Sequence, residues 1–330
     1  MDRKVKITDA GACVHCHLCQ KNCSFLGKYQ IDIGDTDSLR ELSYHCFLCG
    51  RCSQVCPKGI DGRQIVLNMR RQSVEENGGK LREKGYGMLL WEKKDYRFRN
   101  YKNARGKSVL FPGCNFPSFF PETTRYLAGL LREKAGMGVV FDCCGKPVAE
   151  LGMKGEEERI LREMDQRFQE AGVEEVVMLC PNCYHFLKDR LSVKLTTIYK
   201  KLEELGLGQK VSGEAQMFLP CPERDGQEML RDIRPFLVEK IQVTDGGQCC
   251  GLGGSAGVKE PDLAGRMPES IDRSETFYTY CASCSGNLAR KGYMNTEHIL
   301  IKILGRDEKP DTKGSLWNRI KSGYWKEKKV

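Results

Sequence analysis

The spacing of hydrophobic positions changes along the chain, and from residue 107 onward short apolar runs alternate with longer amphipathic stretches. The runs VLF, VVF and VVML are separated by stretches such as TTRYLAGLLREKAG and EERILREMDQRFQEAG. Short apolar runs bounded by turn residues indicate buried strands, whereas apolar residues three and four positions apart indicate helices. Strands that alternate with helices predict parallel βαβ units. We therefore expect α/β structure over this part of the chain.

The first 70 residues follow a helical pattern instead. The segment DTDSLREL at 35–42 opens with Asp and Thr, which favour the start of a helix, and continues with leucines three apart. The segment IDGRQIVLNMRRQSV at 60–74 intersperses apolar residues with basic ones, as an amphipathic helix does. The sequence therefore predicts a small helical region before the α/β part.

The α/β pattern occurs twice, and cysteines mark the ends of its predicted strands. Equivalent cysteines in the two copies are 107, 106, 106, 101 and 101 residues apart, and the predicted helix at 196–206 corresponds to another at 295–305. Open α/β sheets place their sites at the carboxyl ends of strands. We expect two similar α/β units related by a pseudo-twofold axis, each presenting cysteines from its strand ends.

The composition indicates metal ligation more than disulfide formation. The chain has 330 residues, of which 18 are cysteines, and a chain of this length buries a sufficient core without disulfides. The first residues, MDRKVKITDAG, are charged, so no signal peptide is predicted, and no apolar run approaches the roughly 20 residues of a membrane-spanning helix. We expect a cytoplasmic protein whose cysteines bind metal, with any membrane attachment made through a partner.

The net charge of +9 is concentrated in the first third of the chain, where residues 1–107 contain 21 Lys and Arg against 12 Asp and Glu. A basic surface can bind nucleic acid. Clusters held by four thiolates are themselves anionic, however, and basic surroundings compensate that charge. We therefore predict no nucleic acid partner, and a basic face that docks a protein partner instead.

Two copies of C-x2-C-x2-C-x3-C lie in the helical region, and this spacing is typical of two-cluster ferredoxins. In such motifs the fourth cysteine ligates the other cluster. We assign one cubane [4Fe–4S] cluster to Cys13, Cys16, Cys19 and Cys56, and a second to Cys46, Cys49, Cys52 and Cys23. Ser24 replaces the proline that usually follows the fourth cysteine. Zinc is the alternative metal, although it prefers two separated cysteine pairs.

The helical region resembles the α-helical ferredoxin domains of succinate dehydrogenase and heterodisulfide reductase. The repeat resembles the paired CCG domains of the heterodisulfide reductase family, because each copy has a single cysteine, an adjacent cysteine pair before glycine, and a C-x-x-C pair (CPNC or CASC). The resemblance implies that each five-cysteine set holds a noncubane [4Fe–4S] cluster. The two sets are Cys114, Cys143, Cys144, Cys180 and Cys183, and Cys221, Cys249, Cys250, Cys281 and Cys284.

The resemblance implies a multidomain α+β fold in which an α-helical 2[4Fe–4S] ferredoxin domain precedes two pseudo-twofold-related α/β CCG domains. We expect five segments along the chain. These are the ferredoxin domain at 1–70, a linker at 71–106, the first CCG domain at 107–210, the second CCG domain at 211–305, and a basic aromatic tail at 306–330.

The implied function is an oxidoreductase subunit that passes electrons through the cubanes to the noncubane clusters and reduces a small disulfide there. Cys144 and Cys250 are the predicted catalytic cysteines, and His185 is a candidate proton donor, with His298 a weaker one. The partner would be a flavoprotein, a hydrogenase-type protein or a membrane cytochrome. Two alternatives remain open: an electron relay to quinone for a flavin-dependent glycolate, lactate or glycerol-3-phosphate dehydrogenase, and a zinc-stapled interaction protein.

Two further features of the sequence have open interpretations. The glycines of CCGLGGSAG at 249–257 resemble a nucleotide loop only weakly, and we expect them to permit close approach of the backbone to sulfide. In the tail, Leu316, Trp317, Ile320 and Tyr324 are spaced as on a helix. This face could dock a partner or pack on the chain itself.

Overall fold

The structure is a computed structural model that divides the chain into two compact units. It describes residues 8–213, 216–238, 242–244, 249–269, 271, 273 and 276–326. Unit 1 contains Met1–Leu90, Pro147–Glu157 and Asp245–Asp272, and unit 2 contains Trp91–Lys146, Glu158–Thr244 and Arg273–Val330. The architecture is mixed α/β. None of its helices, within the described residues, has the length and apolar character needed to cross a bilayer.

The N-terminal region is helical, as predicted. It contains α1 (Leu18–Asn22), α2 (Ser24–Tyr29), α3 (Thr36–Glu41), α4 (Arg51–Val55) and α5 (Gly62–Glu76). Asp61 caps α5, because its side chain accepts a hydrogen bond from the backbone N–H of Gln64 at 3.2 Å. Ile65, Val66 and Met69 of α5 are buried, so the helix follows the apolar pattern of the sequence.

The segment 71–106, for which the sequence predicts a linker, is folded. Its first residues complete α5, and it then forms α6 (Gly87–Lys93) and β1 (Asn100–Asn103). Strand β1 pairs antiparallel with a later strand of the first sheet. The polar and aromatic composition of this segment gives no strand alternation, so the strand depends on the sheet edge that accepts it.

The first α/β copy forms a sheet whose inner strands are parallel. Its further elements are β2 (Ser108–Phe111), α7 (Phe116–Phe119), α8 (Pro121–Ala135), β3 (Gly138–Phe141), α9 (Lys146–Glu150), α10 (Lys154–Glu170), β4 (Glu175–Met178), α11 (Pro181–Leu187), β5 (Lys194–Thr197) and α12 (Ile198–Glu204). The strand order is β1-β3-β2-β4-β5, and only β1 is antiparallel to its neighbour.

The second copy repeats this topology with shorter strands. Its elements are β6 (Gln216–Phe218), α13 (Glu228–Ile233), β7 (Gln242–Thr244), α14 (Pro261–Arg266), β8 (Phe277–Thr279), α15 (Ala282–Arg290), β9 (Thr296–His298), α16 (Ile299–Ile303) and α17 (Ser315–Gly323). The order β7-β6-β8-β9, with all pairs parallel, matches β3-β2-β4-β5. One core in unit 2 includes Leu110 and Val139 from the first sheet and Met217 from the second.

Two predicted helices are shorter than the sequence indicates, because their first residues join the sheets. Residues 196 and 197 belong to β5, and residues 296 to 298 belong to β9. In each copy the outermost strand therefore passes directly into a helix. The β-branched residues Thr196, Thr197 and Thr296 at these positions favour strand conformation.

The tail forms α17, which packs within unit 2 through its polar face. Asn318 is buried and donates to the carbonyl of Ser118 at 3.1 Å, and Asn100 donates to the carbonyl of Ser322 at 3.0 Å. Leu316 and Trp317 point the other way and are 51% and 67% exposed. Hydrogen bonding of backbone groups therefore decides the orientation of this helix, and its apolar residues remain at the surface.

Candidate metal centres

Four thiols from the two N-terminal motifs line a single cavity in unit 1, which we call site I. Its cysteines are Cys13, Cys16 and Cys19 from the first motif and Cys56 from the second, with Ile33 and Ile60 among the apolar lining. Cys16 is exposed, whereas Cys19 is buried. Burial raises the pKa of the Cys19 thiol to about 12, although backbone N–H groups of Ile33 and Gln20 oppose this shift. These donors stabilise negative charge on the sulfur.

The remaining four thiols of the motifs, which we call site II, also interact with one another. Burial raises the pKa of Cys23 to about 12, and the neighbouring Cys49 and Cys46 raise it further. The pKa of Cys52 is raised by burial and then by Cys23, Cys46 and Cys49. The structure thus brings Cys23 to the second motif and Cys56 to the first, which is the arrangement that crossed ligation requires.

The two cysteine motifs have the same backbone conformation between their cysteines. His15 and His17 have φ values of 48° and 59°, and Leu48 and Gly50 at the matching positions have 48° and 77°. Left-handed conformation is cheap for glycine but strained for histidine and leucine. The strain is tolerated because these turns direct successive thiols towards one point.

An acidic residue lies against site I. The carboxylate of Asp32 is 1% exposed, and its Oδ1 accepts from the Cys19 thiol at 3.3 Å. Its Oδ2 lies 2.9 Å from Nδ1 of His17 and 3.5 Å from Nδ1 of His15. With Asp35, residues His15 and Asp32 place potential ligand atoms within 4.8 Å of one another. Both imidazoles therefore face the same buried carboxylate.

A buried arginine lies against site II. Arg70 is completely buried, and its guanidinium donates to the carbonyls of Ser43 (2.8 Å), Cys46 (2.7 Å), Glu150 (2.7 Å) and Gly254 (2.9 Å). It also stacks over the ring of Tyr44, 4.8 Å from the centroid. The positive charge of Arg70 opposes the rise in the pKa of Cys46 that burial causes. Nothing in the helical pattern of α5 distinguishes this arginine from Arg63 and Arg71, which are partly exposed.

The glycine-rich segment after Cys249 and Cys250 packs on the second motif within unit 1. A Cβ atom at Gly253 would lie 2.5 Å from the carbonyl oxygen of Phe47, and one at Gly254 would lie 2.6 Å from that of Cys46. These glycines therefore permit close contact with backbone carbonyls. The sequence predicts instead that they permit close contact with sulfide. Cys249 and Cys250 are both buried beside this contact.

Unit 2 contains the first five-cysteine set as a continuous series of touching thiols. Cys114 contacts Cys143, Cys143 contacts its neighbour Cys144, Cys144 contacts Cys183, and Cys183 contacts Cys180. Hydrogen bonds from Cys143 and Cys183 lower the pKa of Cys144. Cys144 joins the adjacent pair to the C-x-x-C pair of the same set.

The series continues into the second α/β copy. Cys180 contacts Cys281, which in turn contacts Cys284, and these two hydrogen bonds lower the pKa of Cys281. The amide of Asn182 donates to Sγ of Cys281 at 3.5 Å. Of the second five-cysteine set, Cys221, Cys281 and Cys284 belong to unit 2, whereas the adjacent pair belongs to unit 1. Ligation by this set therefore stays a prediction.

Charged side chains in and near the segment at 71–106 lie close to cysteines of the first five-cysteine set. Sequence reasoning missed these charged neighbours. Lys93 is 9% exposed and pairs with Glu92 at 2.7 Å. Burial lowers the pKa of Lys93, but its interactions with Cys114, Cys143 and Glu92 together raise it. Asp142, next to Cys143, accepts from Arg99 at 3.1 Å. Because the sequence predicts a linker for this segment, neither the charge of Lys93 near Cys114 nor the pairing of Arg99 with Asp142 was predicted.

His185 is held by a carboxylate from the second copy. Its Nε2 contacts Oε1 of Glu223, which is completely buried. The other oxygen of Glu223 accepts from the N–H of Leu230 at 3.0 Å and from the hydroxyl of Tyr280 at 3.1 Å. His185 follows Cys183 by two residues, and Glu223 follows Cys221 by two. The position of Glu223 after a cysteine was the available signal, and sequence reasoning did not use it.

His298, the weaker proton-donor candidate, lies in an apolar environment. It is 2% exposed, and its ring meets Phe116 and Phe120 edge-on at centroid distances of 5.1 and 5.5 Å. Burial lowers the pKa of His298 to about 4. A neutral, buried imidazole is a poor proton donor near neutral pH.

The donor set fits soft metal ions. None of the 18 cysteines, all of which lie in the described part of the chain, forms a disulfide, and this includes both adjacent pairs. Burial by itself favours the protonated form of a thiol, and a bound metal reverses this preference because it stabilises the thiolate. Groups of four or more converging thiols match iron–sulfur ligation.

Comparison with known proteins agrees with this chemistry. A family described as a cysteine-rich domain, CCG, matches residues 108–188. An uncharacterized iron–sulfur protein of Methanococcus maripaludis is 26% identical over 73% of this chain and 54% of its own length. One subunit of the dihydromethanophenazine:CoB–CoM heterodisulfide reductase of Methanosarcina acetivorans is 22% identical over 84% of this chain and 81% of its own length.

A third relative comes from a different enzyme class. The glycolate oxidase iron–sulfur subunit of Escherichia coli is 21% identical over 87% of this chain and 91% of its own length. The chain spans 54% to 60% of the first three curated relatives that it matches. No solved structure matches the chain.

Proposed function

Because this chain is a heterodisulfide reductase-like iron–sulfur protein with a CCG cysteine-rich domain, we propose that it is an electron-transfer subunit that reduces a disulfide. The observation that carries the proposal is the series of touching thiols in unit 2, from Cys114 through Cys144 and Cys183 to Cys281. A simple electron relay needs one compact ligand set for each cluster. A series that joins both α/β copies supports a larger site, at which two sulfur atoms of a substrate can be held.

The proposed cofactors are two cubane clusters at sites I and II and two noncubane clusters at the five-cysteine sets. When bound, such clusters supply electrons one at a time and iron as a Lewis acid. The chain contributes apolar walls at site I, backbone donors to Cys19, and basic side chains near the thiols of site II and of the first five-cysteine set. Anaerobic purification should give about sixteen irons per chain with matching sulfide. Stoichiometric zinc with little iron would favour the interaction protein instead.

In the proposed reduction of a disulfide, several side chains of unit 2 have different roles. Cys144 accepts hydrogen bonds from thiols on both sides, and these contacts lower its pKa. Its counterpart by sequence is Cys250. His185 is the proposed proton donor to a departing thiolate, and Glu223 orients its ring. Lys93 would stabilise negative charge near Cys114.

An electron relay for a flavin-dependent dehydrogenase is the second candidate. It is favoured by the relation to the glycolate oxidase iron–sulfur subunit, which this chain matches over 91% of that subunit's length. The proposed partner is in either case a redox subunit, namely a flavoprotein, a hydrogenase-type protein or a membrane cytochrome.

One experiment separates the two candidates. The dithionite-reduced protein is mixed anaerobically with a set of biological disulfides, and thiol release and cluster spectra are recorded. Disulfide reduction predicts two thiols for each disulfide and a spectral change on binding, both lost in Cys144→Ser. The relay predicts neither, together with rapid reoxidation by quinone or a flavoprotein. In Cys144→Ser, reduction of sites I and II by dithionite should remain intact.

A further inference from the structure

Sites I and II have buried neighbours of opposite charge. At site I the Asp32 carboxylate is 1% exposed and lies 3.3 Å from Sγ of Cys19. At site II the guanidinium of Arg70 is completely buried and donates to the carbonyl of Cys46 at 2.7 Å. Electrostatic interactions are strong at low local dielectric, so both charges act on any electron added at the neighbouring site.

The charge at site I disfavours reduction. A reduced cluster carries one more negative charge, and the Asp32 carboxylate repels it. The imidazoles of His15 and His17 contact Asp32, but their side chains are 52% and 58% exposed, so water screens any charge they carry. Lys58 also lines the cavity, but its side chain is exposed, so water screens its charge as well. The buried Asp32 therefore dominates, and we expect a low reduction potential.

The charge at site II favours reduction. Arginine stays protonated in proteins, so the positive charge of Arg70 is permanent. The Glu150 carboxylate also interacts with Cys46 and acts in the opposite direction. It accepts a hydrogen bond from the N–H of Gly254 at 3.3 Å, which disperses part of its charge. The nearby carboxylate of Glu260 is paired with Lys28 at 2.6 Å.

The positions of the two sites agree with this order of potentials. Site I reaches the surface through the exposed Cys16, and its neighbours Val14 and Leu18 are 57% and 40% exposed. At site II, Cys23, Cys49 and Cys52 are buried. Within unit 1 the backbone of the second motif touches the glycine segment that follows Cys249 and Cys250.

We propose that Asp32 and Arg70 set the direction of electron transfer within unit 1, from site I to site II. A soluble one-electron donor of low potential reduces site I, and the same electron then passes to site II, which reoxidises site I. No proton or second reactant is required. Asp32 and Arg70 act on the clusters through their charges and not as ligands. The proposal rests on the proposed function, since it requires cubane clusters at both sites.

The test is a redox titration of the full-length, cluster-loaded protein followed by electron spin resonance. We expect two cubane signals with unequal midpoints. Asp32→Asn should raise the lower midpoint, and Arg70→Met should lower the higher one, each by about a tenfold change in the reduced-to-oxidised ratio, which is ~59 mV for one electron. Arg70→Lys keeps the charge and should retain the wild-type midpoint.

Three results would overturn the proposal: both variants move the same signal, Asp32→Asn acts on the higher midpoint, or Arg70→Lys shifts the midpoint as far as Arg70→Met. If Arg70→Met does not fold, Asp32→Asn alone still decides, because an unchanged lower midpoint contradicts the proposal.

All titrations include a chelator, since a divalent cation at His15, Asp32 and Asp35 would cancel the charge of the Asp32 carboxylate. Iron and sulfide assays on the same samples show whether the clusters are present, so a chain without clusters is distinguished from a wrong order of potentials. The disulfide assay on the wild-type protein tests the proposed function separately.

Discussion

The completely buried carboxylate of Glu223 contacts Nε2 of His185, and it is fixed on its other side by the hydroxyl of Tyr280 at 3.1 Å. The two α/β copies each contribute one member of this pair, and each member lies two residues after a cysteine. A carboxylate on one ring nitrogen determines the ring's orientation and its tautomer.

This contact leads to a prediction about proton supply. His185→Gln should lower disulfide turnover about 10²-fold, which is the lower end of what a positioned general acid contributes. Glu223→Gln keeps the shape but removes the charge, and it should give a smaller loss. Stopped-flow reduction of sites I and II serves as the control and should be unchanged in both variants. Equal turnover in wild type and His185→Gln would exclude the histidine from the chemistry.

Crossed ligation predicts which cubane each fourth cysteine serves. Cys56→Ser should disturb the cluster of site I, because Cys56 lines the cavity with Cys13, Cys16 and Cys19. Cys23→Ser should disturb site II, because Cys23 interacts with Cys49 and Cys46. Spin-resonance spectra of the two variants distinguish the sites. Ligation by the four neighbours in sequence predicts the reverse pattern.

Lys93 provides a test of the first five-cysteine set that does not alter a thiol. Lys93→Met removes the positive charge that interacts with Cys114 and Cys143. The cluster of this set should then be harder to reduce, by about a tenfold change in its reduced-to-oxidised ratio, or ~59 mV for one electron. Lys93→Arg preserves the charge and is the matched control. A midpoint that is unchanged in Lys93→Met would mean that the charge does not act on this cluster.

The tail contains two tryptophans with different environments. Trp325 packs on Phe141 at a centroid distance of 5.4 Å, whereas Trp317 is 67% exposed. Trp325→Ala should lower the free energy of unfolding by about 1–3 kcal/mol, and Trp317→Ala should change it by no more than about 0.5 kcal/mol. Denaturant titration of the two variants gives these values.

If the exposed face of α17 docks a partner protein, Trp317→Ala should weaken that complex without changing stability. Pull-down of the native partner with wild-type and variant chains measures this effect. Retention of full partner binding by a Trp317→Ala, Leu316→Ala double variant would leave α17 with a purely internal role.

Much of the secondary structure followed from local pattern. The helix at Gly62–Glu76 and the strands at Ser108–Phe111 and Gly138–Phe141 lie where apolar spacing predicted them. The strand within 71–106 did not follow from local pattern, because β1 is stabilised by pairing with β3 and not by its own composition. The orientation of α17 likewise depends on backbone acceptors such as the Ser118 carbonyl, which no pattern within the helix reveals.

The sequence by itself determined the cysteine chemistry, because ligand spacing and the repeated CCG motif are local properties of the chain. Tertiary structure alone decided which charges lie beside those ligands. Arg70, Lys93 and Glu223 are distant in sequence from the groups they interact with at Gly254, Cys143 and His185. Burial at a particular place in the fold is what makes a charge effective, since the same side chain in water is screened. A pattern of residue types contains no information about that burial until the chain has folded.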